Sequence, residues 1–267
     1  MEINFVKMHG LGNDFVLIDG RELNIESVLL NDLAKEICDR HFGIGADGLV
    51  IVLPSEKANY RMRIFNPDGS EAEMCGNGIR CFAKYVYEKD KLQKDVISVE
   101  TLAGIMVPAL IIEKGIIIGA EVDMGAPEDQ GEITLRGFIF RKISMGNPHA
   151  VTFVPDLEEI DLTEVGPKVE NDPHFKNRTN VEFVKVISDR ELDVRVWERG
   201  AGETQACGTG ACAAVVAGVL TKKTNRRVLV HLPGGNLDVE WEEEDGHVAL
   251  RGPAKKVFEG KYHTDLA

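Results

Sequence analysis

Positive charge is in short supply: 31 Lys and Arg face 44 Asp and Glu, for a formal net charge of −13. An acidic surface attracts neither nucleic acid phosphates nor an anionic membrane, so small-molecule chemistry is the class left open. Long apolar runs are missing too. The longest uncharged one, Ala206–Leu220, is interrupted by Gly208, Thr209 and Gly210 and is too short to span a bilayer. The first fifteen residues hold no basic segment followed by an apolar core, the pattern of an export signal. Cysteines number five, an odd count not spaced as a disulfide framework. These absences predict reduced thiols and a cytoplasmic protein. No low-complexity linker divides the chain.

What is present is ordinary in bulk, with 43% apolar and 28% charged residues. A length of 267 residues suits one large domain or two halves. Internal repetition favours two. Glu71-Ala-Glu-Met-Cys-Gly-Asn-Gly-Ile-Arg80 returns as Glu203-Thr-Gln-Ala-Cys-Gly-Thr-Gly-Ala-Cys212. Each copy sets a glutamate four residues before the cysteine of a C-G-x-G, and a helix-like apolar segment follows. Cys75 and Cys207 lie 132 residues apart. A second pair, Gly12-Asn13 and Gly146-Asn147, keeps nearly the same offset, 134 residues. Two matched signals at almost one offset indicate a duplicated half.

Along the chain, Ile3–Lys7 and Phe15–Asp19 read as strands joined by the loop that carries Asn13. Ser27 is placed to cap a helix over Val28–Arg40, with apolar residues at 29, 30, 33, 34, 37 and 38, so Cys38 is assigned to the core. Gly43-Ile-Gly-Ala-Asp-Gly48 is a literal G-x-G-x-x-G. A dinucleotide site needs a strand before it and a helix after it; here the order is reversed, and it reads as a turn into the strand Leu49–Leu53. Tyr60–Phe65 alternates as a strand. After Gly78, Ile79, Phe82, Ala83 and Val86 mark a helix face, with Arg80, Lys84 and Glu88 directed away from it. Val96–Glu100, Ile105–Ile112 and Ile116–Met124 are expected strands, the last two joined at Lys114-Gly115, and the halves change over near this hairpin.

The second half repeats the order. Strands Phe138–Ile143 and Ala150–Val154 flank the Asn147 loop, and a helical piece follows near Leu162–Glu170. Strands Val181–Ile187 and Leu192–Trp197 lead to Cys207. Ala211–Leu220 is apolar all round, the mark of a helix buried on every side. Val228–Leu232, Leu237–Trp241, Val248–Leu250 and Lys256–Phe258 are closing strands. Each half is therefore mostly antiparallel strand around one apolar helix, an α+β layout. The expected division is 1–118, completed by 254–267, and 119–253.

Three readings of the paired cysteines compete. In the first, C-G-x-G is a turn into a core helix with a small buried thiol. That explains one copy and gives no reason for the second. In the second, Cys75, Cys81, Cys207 and Cys212 bind metal as C-x5-C and C-x4-C. Structural zinc prefers shorter spacings, and Cys81 and Cys212 fall within helices, so no metal is assigned.

The third reading is catalysis by two thiols. A helix N-terminus lowers the pKa of a thiol placed there, and its N–H groups can hold a carboxylate. Two such termini would grip one carboxylate and set a sulfur on each face of the adjacent carbon. One thiolate removes the α-proton and the opposing thiol returns a proton to the other face, inverting configuration. The carbanion would be stabilised by aimed dipoles in a dry cavity, with no cofactor required in principle. Sulfurs that close are placed to bridge on oxidation.

Met8-His-Gly-Leu-Gly-Asn-Asp-Phe15, Phe65-Asn-Pro-Asp-Gly-Ser70, Met74-Cys-Gly-Asn-Gly-Ile-Arg80, Gly146-Asn-Pro-His149, Glu198-Arg-Gly-Ala-Gly-Glu203 and Ala206-Cys-Gly-Thr-Gly210 together resemble diaminopimelate epimerase. The likeness runs from about residue 5 to 258, with the blocks in the same order. It implies a PLP-independent enzyme that interconverts LL- and meso-2,6-diaminopimelate on the route to lysine and cell-wall peptide. It further implies two pseudo-symmetric α/β domains, each a strand barrel around a central helix, a site in the cleft between them, and a homodimer.

By position, the resemblance makes Cys75 and Cys207 the two bases. Gly76, Asn77, Gly208 and Thr209 would hold the reacting carboxylate. Asn13, Asn66, Asn147, Asn180, Glu198 and Arg199 would bind the distal end of the substrate, and His149 and Glu198 would assist catalysis. An arginine fork suits a carboxylate, and asparagine both donates and accepts. Some members carry glutamine where this chain has Gly48, so no substrate contact is assigned there. Two alternatives remain at this stage: a racemase or epimerase of another amino acid on the same fold, and a non-catalytic carboxylate-binding module. The module would have no use for two matched cysteines.

Overall fold

The computed structural model describes residues 1–23 and 27–266. In chain order, the first stretch forms β1 (Glu2–Gly10), β2 (Asn13–Asp19), α1 (Ser27–Cys38), β3 (Gly48–Leu53), β4 (Tyr60–Phe65), β5 (Glu71–Ala72), α2 (Gly76–Asp90), β6 (Val99–Thr101), β7 (Gly104–Met106), β8 (Ala109–Glu113) and β9 (Ile116–Asp123). Then come β10 (Glu128–Leu135), β11 (Phe138–Ser144), β12 (Pro148–Phe153), α3 (Leu162–Glu170), β13 (Asn180–Ser188), β14 (Glu191–Glu198), β15 (Gly202–Thr204), α4 (Gly208–Leu220), β16 (Arg227–Leu232), β17 (Gly235–Trp241), β18 (Val248–Pro253) and β19 (Lys255–His263). These elements make two compact units, Met1–Val122 with Gly252–Ala267, and Asp123–Arg251.

The two units repeat one strand grammar. In the first, β1–β2 is antiparallel, β2–β3 parallel, β3–β4 antiparallel, β4–β6 parallel and β6–β7 antiparallel. In the second, β11–β12, β12–β13, β13–β14, β14–β16 and β16–β17 follow the same alternation. Parallel neighbours need a crossover, and a helix supplies each one: α1 and α2 in the first unit, α3 and α4 in the second. A short strand hangs on the fourth in both, β5 on β4 and β15 on β14, and feeds the chain into the cysteine motif. The duplication read from the sequence is a duplication of topology.

Each unit keeps one helix inside its strands. α2 packs against β1, β2, β3, β4 and β8, and α4 against β11 to β14, β16 and β17. Gly210 to Gly218 of α4 are all buried, as an all-round apolar helix requires. Buried valines such as Val215 and Val216 each contribute about 1.5–3 kcal/mol. The other helix of each unit covers the opposite sheet face. Leu30, Leu33, Ala34, Ile37 and Cys38 of α1 pack with Ile3, Val16, Ile18, Leu49 and Ile51. Leu162 and Val169 of α3 meet Phe140, Val181 and Phe183. β19 completes the first unit by pairing along all of β1 but its last residue, from Glu2 opposite His263 to His9 opposite Lys255.

Several expectations change. Ser27 opens α1 as a helical residue rather than preceding it, and its side chain lies outside the described residues; the helix stops at Cys38. The strand expected over Ile105–Ile112 is two strands, β7 and β8, because Pro108 has no N–H to continue a ladder. β10 passed unnoticed: its polar sequence has most side chains exposed and pairs along β11. Arg80, expected to point away from the helix core, is fully buried. Its guanidinium finds three acceptors there, Gly76 O at 3.0 Å, Asn77 Oδ1 at 2.6 Å and Pro253 O at 3.4 Å. Cys81 is buried in α2, and burial pushes its thiol up to about 12.

Candidate active site

In the first unit the site is built on two turns. Gly12 takes φ +85°, a left-handed conformation that favours glycine, and this turn delivers Asn13 at the head of β2. Cys75 is the N-cap of α2, with extended backbone, so its sulfur stands where helix geometry leaves the first N–H groups without intrahelical partners. Cys75 Sγ donates to Asn13 Oδ1 at 3.8 Å, and Asn77 Nδ2 donates to the same oxygen at 3.0 Å. The amide of Asn13 has only one workable orientation. Its Nδ2 donates to Asp47 Oδ2 at 2.9 Å, and a carboxylate only accepts.

Asp47 in turn takes a hydrogen bond from Arg40 at 2.7 Å, and Arg40 also reaches Asp14 at 2.9 Å. Lys7, itself buried, pairs with Asp14 at 2.7 Å. Burial pushes the Asp14 carboxyl up, but the bonds from Arg40 and Lys7 outweigh it and hold it down at about 2. Asn13, Cys75, Gly76 and Asn77 are thus brought together. Asn66 lies apart in the hydrogen-bond pattern, exposed just beyond β4 and donating to Ser70 Oγ at 2.9 Å.

The second unit rebuilds the arrangement with different chemistry. Gly146, at φ +88°, turns the chain into Asn147. Cys207 is the N-cap of α4 and is 5% exposed. Its sulfur lies 3.5 Å from Thr209 Oγ1, and Asn147 Nδ2 donates to that hydroxyl at 3.3 Å. Asn147 Oδ1 lies 3.0 Å from His149 Nε2, and His149 Nδ1 lies 2.6 Å from Glu182 Oε1. The His149 and Glu182 side chains are fully buried.

Asn180 Nδ2 donates to Pro148 O at 3.0 Å, while its Oδ1 accepts from the Arg199 N–H at 2.9 Å. The Arg199 side chain is exposed and donates to Asn177 O at 3.0 Å. Glu198 Oε1 accepts from Thr204 Oγ1 at 2.5 Å. Gly208 is the first residue of α4.

The sequence predicts a lowered thiol pKa at both helix N-termini, and at Cys207 the balance goes the other way. Burial pushes it well above its ordinary value, with Glu198 and Glu182 adding to the rise. The Thr209 hydroxyl and the Gly210 N–H pull against this without overcoming it. A helix terminus lowers a thiol pKa by presenting N–H groups; desolvation beside two carboxylates is the larger effect here. Burial likewise raises the Glu182 carboxyl, opposed by His149 and aided by Glu198.

Several contributors were not picked out from the sequence, among them Lys7, Asp14, Arg40, Asp47, Arg80, Thr204 and Glu182. Glu182 left one trace, a charged residue flanked by Val181 and Phe183 in an apolar strand. Among the described residues there is no group of three or more His, Cys, Asp or Glu side chains able to hold a metal ion. Nor is any helix among them long and apolar enough to cross a membrane.

Known proteins share this organisation. The sequence profile of diaminopimelate epimerase matches residues 5–129 and 141–257. A diaminopimelate epimerase of Moorella thermoacetica is 54% identical over 98% of this chain and 100% of its own length. One from Methanococcus maripaludis is 48% identical over 97% of this chain and 99% of its own. Two crystal structures share the fold at low identity. A Bacillus anthracis phenazine biosynthesis protein of the PhzF family superposes with a TM-score of 0.78 at 18% identity, covering 99% of this chain and 100% of that one. A hydroxyproline epimerase from Agrobacterium vitis gives 0.74 at 14%, covering 98% and 91%. With the profile running through both units and about half of all positions shared with full-length relatives, this chain belongs to the diaminopimelate epimerase family.

Proposed function

We propose that this chain interconverts LL- and meso-2,6-diaminopimelate, an isomerisation on the route to lysine, with Cys75 and Cys207 as its two bases. The observation that carries the reading is the repeated placement of a cysteine at the N-cap of the enclosed helix, once in each unit. Each cysteine is linked to an asparagine delivered by a left-handed glycine turn, Cys75 directly to Asn13 and Cys207 through Thr209 to Asn147.

In this reading the N–H groups of Gly76 and Asn77 and of Gly208 and Thr209 hold the carboxylate next to the reacting carbon. Holding it there places the negative charge of the developing carbanion against fixed dipoles, and no organic cofactor or metal takes part. One sulfur accepts the α-proton as thiolate while the other, as thiol, delivers a proton to the opposite face. The chemistry therefore requires both sulfurs to reach one carbon. Burial and the two neighbouring carboxylates favour the thiol at Cys207, which suits it to enter the cycle as the acid. His149 and Glu198 assist by setting the charge around that sulfur. Asn13, Asn66, Asn147, Asn180, Glu198 and Arg199 bind the distal amino-acid end, whose carboxylate suits the Arg199 fork. We place the enzyme in the cytoplasm, as a homodimer.

The test is incubation of reduced protein with each diaminopimelate stereoisomer in heavy water, following inversion and α-deuterium together. Inversion with deuterium incorporation is expected, and Cys75→Ala and Cys207→Ala should each abolish inversion. Binding without exchange, exchange only with other amino acids, or full activity in either variant would refute the reading.

A further inference from the structure

Beside Cys207, the proposed reaction leaves a buried titratable group without a role. Glu182 sits in β13 with its side chain fully buried; Oε1 faces His149 Nδ1 at 2.6 Å, and Oε2 has no hydrogen-bond partner among the described residues. Such a group is costly to keep unless it acts on something. It stands close to the start of α4: a side chain at Gly210 would place Cβ 2.8 Å from Glu182 Oε1 and 3.3 Å from Cys207 Sγ. The groups that face it are His149 from β12, Glu198 from β14 and Cys207 at the head of α4.

Hydrogen-bond directions connect Glu182 to that sulfur. Asn147 Nδ2 donates to Thr209, so Asn147 Oδ1 is the acceptor for His149 Nε2–H. With Nε2 carrying a proton, the 2.6 Å contact at Nδ1 needs one more, on either the ring or the carboxyl. The His149–Glu182 pair then holds two protons and no net charge. Thr209, accepting from Asn147, keeps its own hydroxyl proton free to donate to Cys207 Sγ, so this arrangement can support a thiolate there.

Remove one proton from the pair and the directions from Nε2 outward reverse. Nδ1–H now donates to a Glu182 carboxylate, and bare Nε2 needs a donor. The Asn147 amide turns over to supply it, Thr209 donates to Asn147 Oδ1, and the Cys207 S–H donates to Thr209. The pair has gained a negative charge, which also disfavours a thiolate nearby. Hydrogen-bond polarity and Coulomb repulsion act in the same direction. The amide rotates; it does not carry the proton.

We propose that Glu182 is a positioning residue for the isomerisation: through His149, Asn147 and Thr209 it makes the ionisation of Cys207 depend on the protonation of a buried carboxylate–imidazole pair. The inference rests on Cys207 being one of the two bases. A base that alternates between thiol and thiolate each turnover then has a neighbour whose charge and hydrogen bonding alternate with it. Coupled sites of this kind titrate as a unit and not singly.

The test is a titration without substrate, so its outcome is separate from that of the epimerase assay. Protein labelled with 13C at cysteine Cβ reports the ionisation of Cys207 and Cys75 in one sample. In the wild type the Cys207 curve should have two steps. In Glu182→Gln it should become a single step, with its midpoint lower by about one unit or more, while that of Cys75 moves by less than about 0.3. The catalytic companion is a roughly tenfold fall in kcat with KM changed less than about twofold. A Cys207 curve in Glu182→Gln that superimposes on the wild type, or an equal shift at Cys75, would overturn the proposal. Should Glu182→Gln fail to fold, Cys207→Ser serves: linkage is reciprocal, so the carboxyl titration of Glu182 must shift in that variant, and an unchanged Glu182 curve would reject the coupling.

Discussion

Arg80 donates to Asn77 Oδ1 at 2.6 Å from a guanidinium that is fully buried. That bond fixes the Asn77 amide, whose nitrogen then faces Asn13 Oδ1, the atom that also meets Cys75. Replacing Arg80 by Met keeps much of the volume and removes its hydrogen bonds to Asn77 Oδ1, Gly76 O and Pro253 O. The expected loss is about 2–4 kcal/mol of stability, read as a lower urea midpoint. Arg80→Lys should recover little of it, because an ammonium on a single stem cannot reach all three.

Asn13→Asp sets a carboxylate where an amide donates to Asp47 at 2.9 Å. Two like charges that close raise the pKa of the pair, so one proton is retained on lowering pH and rebuilds the bond. The variant should therefore lose most activity at pH 8, by about a hundredfold, and regain part of it toward pH 6. A profile of kcat/KM against pH parallel to the wild type would contradict this.

Asp14 makes the stability of the first unit sensitive to acid. Its folded carboxyl is held at about 2, below an unfolded value near 3.9. A depressed carboxyl contributes stability that is fully present above the unfolded pKa and is lost as pH falls through the folded one. Asp14→Asn should therefore cost about 1–2 kcal/mol at pH 7, a difference that shrinks below about pH 4 and vanishes only below about pH 2. Urea midpoints of both proteins at several pH values give the comparison.

Gly210→Ala should damage function more than folding. Alanine is the better helix former by about 1 kcal/mol, which offsets part of the crowding. The added methyl would lie 2.8 Å from Glu182 Oε1, which must move, and 3.3 Å from Cys207 Sγ, which must give by a few tenths of an ångström. Turnover should fall at least about tenfold with helix content retained by circular dichroism. Wild-type turnover would show that the Gly210 position does not bear on Cys207.

The repeat was legible because it is written in residues whose backbone or chemistry is unusual. Gly12 and Gly146 adopt left-handed φ in matching turns, and the cysteines sit at matching N-caps. The buried α4 was legible because no polar side chain interrupts its surface from Gly210 to Gly218. Arg80 was misread because helical periodicity sorts charge outward and cannot see that the carbonyls of Gly76 and Pro253 wait inside. Pro253 lies 173 positions away, beyond the reach of any local pattern. Glu182 failed for the same reason: its meaning lies in His149, brought beside it by the parallel register of β12 and β13. The pKa at Cys207 was misjudged because a helix terminus is visible in sequence, while the burial and carboxylates that outweigh it are not.

The pairing of β1 with β19 makes the first unit depend on a strand that follows the whole of the second in sequence. Domains ordinarily fold as they emerge, the amino-terminal one first. Asp123–Arg251 is continuous in sequence, while β1 keeps an open edge until Lys255–His263 pairs with it. The nascent chain is thus exposed longest at the edge of the half that carries Cys75.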